Sequence, residues 1–307
     1  MDVVSDAISA VRTGQPSSNR LRVGGSWCTR LAPYEGAGFH VVLAGSCRLV
    51  ADGGGEPVAL GAGDVVLLPH GAGHVLADPS GDTARAVPFE EMRRPVGDGP
   101  EVELLCGKYR LDRSRTHPLM AELPEVVHLP NRVGRHPELR AAVDLLAQEL
   151  DERRPGACLA LPSLLDLLLI YMVRAWMSQA ESGSWPSVLS DPVTTAALRA
   201  LHSDPAAPWT NDRLAATAGV SRATLVRRFT ALVGRAPMAY LTWWRLTLAA
   251  TRLRDTDASL TTVAREAGYG SPYALSHAFS REFGVTPGKY RAAGEVRGDV
   301  RAAQGLS

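Results

Sequence analysis

Two stretches in the last third of the chain set small residues, hydroxyls and apolar anchors in the same order. The first is LAATAGVSRATLVRRF, Leu214 to Phe229; the second is VAREAGYGSPYALSHAF, Val263 to Phe279. Ala215 and Gly219 stand four apart, as do Ala264 and Gly268. A serine follows each glycine, Ser221 after two residues and Ser271 after three. Four and eight residues beyond each serine come a leucine and a phenylalanine: Leu225 and Phe229, then Leu275 and Phe279. The chain therefore carries an internal repeat of about fifty residues.

Each spacing has a physical reason. A small alanine lets one helix lie close to the next. Glycine takes φ > 0 and turns the chain in few residues. Serine caps the following helix by accepting from a free backbone N–H, and Pro272 suits the first helical position after its cap. Leucine and phenylalanine lock one face of the second helix into a core and leave the other face bare. That is a helix-turn-helix, whose second helix enters the major groove of DNA. The bare face of the first unit holds Arg222, Ala223, Val226 and Arg227; that of the second holds Tyr273, Ser276 and His277. Arg227 can meet guanine bidentately, and Ser276 or His277 can hydrogen-bond a base edge. Arg222, Arg228 and Arg281 are placed for phosphates. For each of these residues a solvated surface position is the competing reading.

Between the units runs PMAYLTWWRLTLAATRLR, residues 237–254, with Trp243, Leu246, Ala250 and Leu253 as a core stripe. A helix of roughly seventeen residues spans about 26 Å. A rigid spacer of that length can hold two recognition helices about one DNA turn apart, roughly 34 Å.

A second set of residues lies near the N-terminus. Gly63 to His74, GDVVLLPHGAGH, matches the second cupin motif, and His40 stands where the first motif has a histidine. Val42 occupies the place of that motif's second histidine, and no glutamate follows at the right distance. His40 and His74, with Cys47 as a third donor, could bind a soft metal such as copper or zinc. The alternative is a leftover pair packed at a barrel mouth. No motif requires any other cofactor. Cys28 and Cys106 could respond to an oxidant if exposed and electropositive, with Arg30 and Lys108 near enough in sequence to lower a thiol pKa. The alternative is that both are buried small hydrophobes.

The elements that must carry these residues follow from pattern. FHVVLAG, SCRLVA, PVALGAG and DVVLLPHG read as short strands, with Asp52-Gly53-Gly54-Gly55 as a hairpin turn. Asp78 to Gly99 reads as a loop. Helical spacing begins at Pro137 with Leu139, Val143, Leu146 and Leu150. A second helix runs from about Leu159 to Ala180, too broken by Pro162, Asp166 and Arg174 to be a membrane span. This helix pair has more apolar surface than two helices hide from each other. It forms a homodimer interface through residues 137–180, or it packs on the β-domain. SGSWPS, 182–187, reads as a linker. The domain boundaries are 1–130 for a sensor domain, 131–181 for the helix pair, 182–190 for the linker, 191–293 for the DNA-binding domain and 294–307 for a flexible tail.

Charge agrees with this division. Residues 190–291 carry 13 Lys/Arg against 7 Asp/Glu, while residues 1–189 carry 18 against 23. A basic C-terminal piece on an acidic N-terminal piece is expected when one end meets nucleic acid. The N-terminus has no apolar signal region, and four scattered cysteines form no CxxC pair. A reducing cytoplasm fits, with no membrane contact.

The pattern Gly-x-Ser-x-x-x-Leu-x-Arg-x-Phe, the long helix, and GYGSPYALSHAFSREFGVTPGKYR resemble the AraC/XylS family of bacterial regulators. The resemblance covers about residues 190–291. It implies a DNA-binding domain of seven helices that acts on promoter DNA, often by contacting RNA polymerase. His277 stands where many members carry arginine, and Val226 where a polar base-reading residue is common. The remainder resembles cupin-bearing members of that family, which implies a sensor for an unnamed small molecule or oxidant. The fold expected is two-domain: an N-terminal all-β cupin-like barrel followed by a helix pair, then a C-terminal all-α domain with two helix-turn-helix units joined by a long helix. The function expected is sequence-specific transcription regulation, not catalysis. A cupin metalloenzyme fused to a DNA-binding domain is the alternative, and the missing metal ligands weigh against it. No Walker loop, GxSxG or HExxH occurs in a supporting context.

Overall fold

The computed structural model describes residues 3–92, 101–111, 117–152, 155–179 and 184–293. They form two compact units: Val11–Glu181, and Met1–Ala10 together with Ser182–Ser307. The expected tail at 294–307 lies outside the described residues. So do 93–99 of the expected loop and 182–183 of the expected linker.

The chain opens with helix α1, Val3–Val11. Strands β1 (Ser17–Gly24), β2 (Cys28–Leu31), β3 (Ala37–Ala44), β4 (Ser46–Ala51), β5 (Val58–Gly61), β6 (Val65–Leu68), β7 (His74–Ala77), β8 (Val87–Pro88), β9 (Glu101–Tyr109) and β10 (Val127–Leu129) follow, with the short helix α2 (Pro118–Ala121) before β10. The four strands read from sequence appear as β3 to β6, and Gly54 takes φ 77° in the expected hairpin turn. The segment read as a loop after Asp78 holds β8 and two short 3-10 turns. One sheet runs β1-β9-β3-β6-β10, the other β5-β4-β7-β2-β8. Their inner faces share one core, with Leu21, Val42 and Leu104 from the first sheet against Leu49, Leu60 and Leu76 from the second. Alternating inward side chains of two facing sheets are what closes a small β-barrel. Helices α3 (Pro137–Glu152) and α4 (Ala157–Gln179) form the expected pair and pack on each other.

The helical unit departs from the sequence reading at the expected linker. Ser184–Ser190, read as linker, is a helix, α5. Its Trp185 and Val188 are buried, and it packs on α6 (Pro192–Ser203) and α8 (Arg222–Val233). Burying a tryptophan outweighs the turn signals of its small neighbours. Then come α7 (Asn211–Thr217), α9 (Pro237–Asp255), α10 (Leu260–Glu266), α11 (Pro272–Phe283) and a final helix α12 over 287–293. From Pro192 onward the described residues hold seven helices.

Helix α1 belongs to this helical unit, although the sequence reading counts residues 1–10 with the barrel. Val3, Ala7, Ile8 and Ala10 are buried. Asp6 Oδ2 lies 3.0 Å from Nδ1 of buried His202, whose Nε2 lies 2.8 Å from the Tyr240 hydroxyl. His202 also stacks on Trp244, with ring centroids 4.3 Å apart. A buried carboxylate needs such partners.

Both turns of the repeat have the same hydrogen bonds. Val220 N donates to Ala215 O at 3.0 Å, and Tyr269 N to Ala264 O at 2.8 Å. Gly219 and Gly268 lie at φ 68° and 72°, the left-handed region that favours glycine. The two differ in surroundings. A Cβ on Gly219 meets open space, whereas one on Gly268 falls 2.7 Å from Ala206 Cα. Gly219→Ala is therefore expected to cost about 1 kcal/mol of stability and Gly268→Ala about 3 kcal/mol. Urea unfolding followed by tryptophan fluorescence checks this, and equal losses would refute the role given to Ala206.

Candidate functional site

The two recognition helices are α8 and α11. Ser221 accepts from Thr224 N at 3.3 Å and Ser271 from Ala274 N at 3.1 Å, so both expected caps form. Leu225, Phe229, Leu275 and Phe279 are fully buried, which turns the opposite faces outward. On α8, Arg222, Ala223, Arg227 and Arg228 are exposed and Val226 is half-buried. On α11, Tyr273, His277 and Arg281 are exposed and Ser276 is half-buried. Tyr273 is 82% exposed, a large aromatic held out in solvent at the first turn.

Two of the arginines have partners the sequence did not reveal. Arg228 lies 3.2 Å from buried Asp191 at the start of α6, so it anchors α8 to the unit. Arg222 lies 3.5 Å from Asp212, an exposed pair that costs little to break. Arg291 donates to Leu253 O and Ala258 O at 3.3 and 2.5 Å, tying α12 to the end of α9. Phe279, Phe283 and Tyr290 form one aromatic cluster at centroid distances of 4.0 to 5.3 Å. The closing signature of the sequence is thus mainly the core of the second unit.

The barrel holds a cavity of about 450 Å3. Register puts Asn19, Cys106 and His40 directly opposite one another across β1, β9 and β3. His74 reaches the same point from the other sheet. Its Nδ1 lies 3.0 Å from the Ala72 carbonyl oxygen. A carbonyl only accepts, so Nδ1 carries the hydrogen and Nε2 a lone pair. His40 Nε2, 2.7 Å away, then donates to His74 Nε2. His40 Nδ1 is left to accept from the Cys106 thiol, with Sγ at 3.0 Å. All three groups are neutral. Burial first, then His74 and Lys108, holds His40 well below the usual imidazole pKa. Burial also lowers His74, against the Ala72 carbonyl and Asp52.

The His40–His74 pair is not arranged as a metal site. All four ring nitrogens of His40 and His74 are already engaged in hydrogen bonds. Val42 is buried in the core where a further histidine would stand. Cys47, read as a third donor, packs in the core, and the thiol beside His40 is Cys106. Among the described residues no group of three or more His, Cys, Asp or Glu side chains could hold a metal.

Of the two readings of the thiols, their surroundings favour the buried, protonated one. Burial raises the Cys28 pKa despite Arg48 and Arg30, and pushes Cys106 up to about 12, with Cys47 adding to the rise. Proximity of Arg30 and Lys108 in sequence does not produce a thiolate. The pocket residues that sequence reasoning missed are Tyr34 and the inward role of Lys108. The signal for Lys108 was its place two residues after Cys106 on one strand, hence on the same face.

The family described as Cupin matches residues 2–178, and a helix-turn-helix domain family matches 214–293. An AraC-like transcription regulator of Streptomyces lividans is 36% identical over 299 residues, covering 95% of this chain and 98% of that one. The transcriptional regulator MtrA of Neisseria gonorrhoeae is 31% identical over 304 residues, covering 96% and 99%. Among solved structures, the DNA-binding domain of AdpA in complex with a target DNA is 38% identical. It covers 35% of this chain and 96% of that one, with a TM-score of 0.33.

Iodoacetamide at pH 8 is expected to alkylate exposed Cys158 first and half-buried Cys28 next, with Cys47 and Cys106 spared. The Cys106 rate should still climb above pH 9, the ordinary thiol value, because its thiolate forms only near pH 12. Timed peptide mass spectrometry reads this directly. Fast Cys106 labelling at pH 8 would show that the thiol is not silent.

Proposed function

The chain belongs to the AraC-like transcription regulators with a cupin N-terminal domain, and from that premise we propose how its two units divide the work. Recognition helices α8 and α11 enter successive major grooves on one face of promoter DNA. The observation that carries this is the pair of capped helices, each with Leu and Phe fully buried behind an exposed polar face. The 19-residue α9 between them spans about 28 Å, close to one DNA turn. Arg227 reads guanine, while Ala223 and Val226 meet thymine methyl groups. Tyr273, Ser276 and His277 read the second groove. Arg222 and Arg281 hold phosphates, and Arg228 positions α8 through Asp191. The barrel is a sensor, and its cavity takes the signal molecule. The saturated His40–His74 chain lends no support to metalloenzyme chemistry. Neither Cys106 nor Cys28 has the environment of an oxidant-sensing thiol. The regulator acts in the cytoplasm on promoter DNA and, as the family resemblance implies, through RNA polymerase.

The same reading makes the protein a homodimer through α3 and α4. Helix α4 is apolar enough to span a membrane by length and composition, yet only 28% of its most apolar window is buried. Leu159 is 80% exposed and Leu145 51%. A soluble regulator needs that surface covered, and a second copy covers it isologously.

Fluorescence anisotropy with DNA from upstream of the protein's own gene, over a salt series, tests the DNA reading. Arg227→Ala should weaken binding by about 1–3 kcal/mol and abolish the preference for guanine at one operator position. Arg281→Ala should weaken binding to all sequences alike and reduce the salt slope by about 1. Unchanged base preference in Arg227→Ala would refute the assignment. Sedimentation of Leu159→Glu/Leu145→Glu should give a 32.8 kDa monomer where the parent chain gives twice that mass.

A further inference from the structure

The lining of the barrel cavity carries one cation, one carboxylate, and a phenol hydroxyl that is buried without a partner among the described residues. The cation is Lys108, whose ammonium lies 4.9 Å from the centroid of the Tyr34 ring. It is one of only two lysines in a chain that otherwise uses arginine. The hydroxyl is that of Tyr34, buried and without a hydrogen-bond partner among the described residues. A buried hydroxyl left unpaired is costly, and in a pocket it marks the place of a ligand atom. Gly38 stands opposite Lys108 in register, and a Cβ there would fall 2.8 Å from the Tyr34 hydroxyl. Glycine at that position is what lets the phenol turn inward.

At the floor, His40, His74 and Cys106 add no charge and no free donor, while Ser17, Ser18 and Asn19 line the same cavity as neutral polar groups. His40, His74 and Cys106 spend their hydrogens on one another and on Ala72. The one carboxylate of the lining, Glu90, is exposed on the Phe89–Glu91 turn, and Lys108 on β9 is exposed as well, so water screens both charges. Leu31, Pro33 and Phe89 supply the apolar wall. A volume of about 450 Å3 suits one small organic molecule.

We propose that the cavity binds a small organic carboxylate, its head on the Lys108 ammonium and Tyr34 hydroxyl and its apolar body against Leu31, Pro33 and Phe89. This rests on the reading of the barrel as the sensor. Burial keeps the Tyr34 phenol protonated, so it donates to the carboxylate. A cationic ligand would meet Lys108 unfavourably. A neutral ligand would gain no charge-assisted hydrogen bond from the ammonium.

Isothermal titration of the full chain with octanoate and 4-phenylbutyrate tests this, with octanamide and 4-phenylbutanamide as neutral isosteres. At least one carboxylate should bind with a submillimolar Kd, and its amide about tenfold or more weaker. Lys108→Met should weaken the carboxylate about tenfold and leave the amide unchanged; Tyr34→Phe should weaken the carboxylate severalfold. Lack of binding by both carboxylates overturns the proposal, and so does equal binding of acid and amide. Carboxylate binding insensitive to Lys108→Met overturns it as well. The acid-amide comparison uses the parent chain, so it stands even if a variant misfolds. Adding the bound carboxylate to the DNA titration separates the two readings. Lys108-dependent binding without change in DNA affinity keeps the carboxylate site and removes the sensor role. A shift in DNA affinity that the amide produces equally keeps the sensor and removes the carboxylate.

Discussion

The whole DNA-binding unit depends on burying one face of each recognition helix completely. Leu225 and Phe229 do this for α8, Leu275 and Phe279 for α11. Burial of such side chains is worth about 1.5–3 kcal/mol each, far more than any surface pair on the opposite face. It therefore sets the rotation of each helix about its own axis. Once that rotation is set, Arg227 and His277 have nowhere to point but outward. Both helices lean on one long element. Tyr240, in the first turn of α9, meets Phe229 edge-on at 5.7 Å, and the far half of α9 shares a core with Leu275 and Phe279. A single rigid helix thus fixes the distance between two independent anchors.

The barrel solves a different problem, that of polar groups placed in a dry interior. Two imidazoles and a thiol meet at the cavity floor, and each would be costly if left unpaired. They settle the cost by forming one directional chain that ends on the Ala72 carbonyl. Lys108 reinforces this from the cavity side, because a nearby cation disfavours a second charge on either ring. The floor is neutral and saturated, so in the proposed carboxylate site recognition falls to Tyr34 and Lys108. A metal-binding arrangement and a saturated hydrogen-bond chain compete for the same lone pairs, and in this chain the hydrogen bonds hold them.

The helical unit has its own buried polar knot. Asp6, His202 and Tyr240 close a network over Trp244, and the carboxylate comes from the first helix of the chain. Thr251 on α9 also donates to Ala10 O at 3.2 Å. The backbone therefore leaves the helical unit after α1, builds the barrel, and returns to the helical unit.

What the sequence determined by itself was local. The caps Ser221 and Ser271, the left-handed Gly219 and Gly268, the leucine–phenylalanine spacing and the four strands from Phe39 to Leu68 each act within a few residues. Helical and strand periods expose them directly. The exposed faces of α8 and α11 were legible for the same reason, as the complement of a visible core stripe. Tertiary structure alone decided the long-range pairings: Asp6 with His202, Arg228 with Asp191, and Cys106 rather than Cys47 beside His40. It also decided that SGSWPS is helical, because only the folded unit offers Trp185 a place to be buried. Those outcomes depend on sheet register and on which helices become neighbours. No short window of sequence carries either, since a one-residue slip in β9 would put Cys106 and Lys108 on the other face of the sheet.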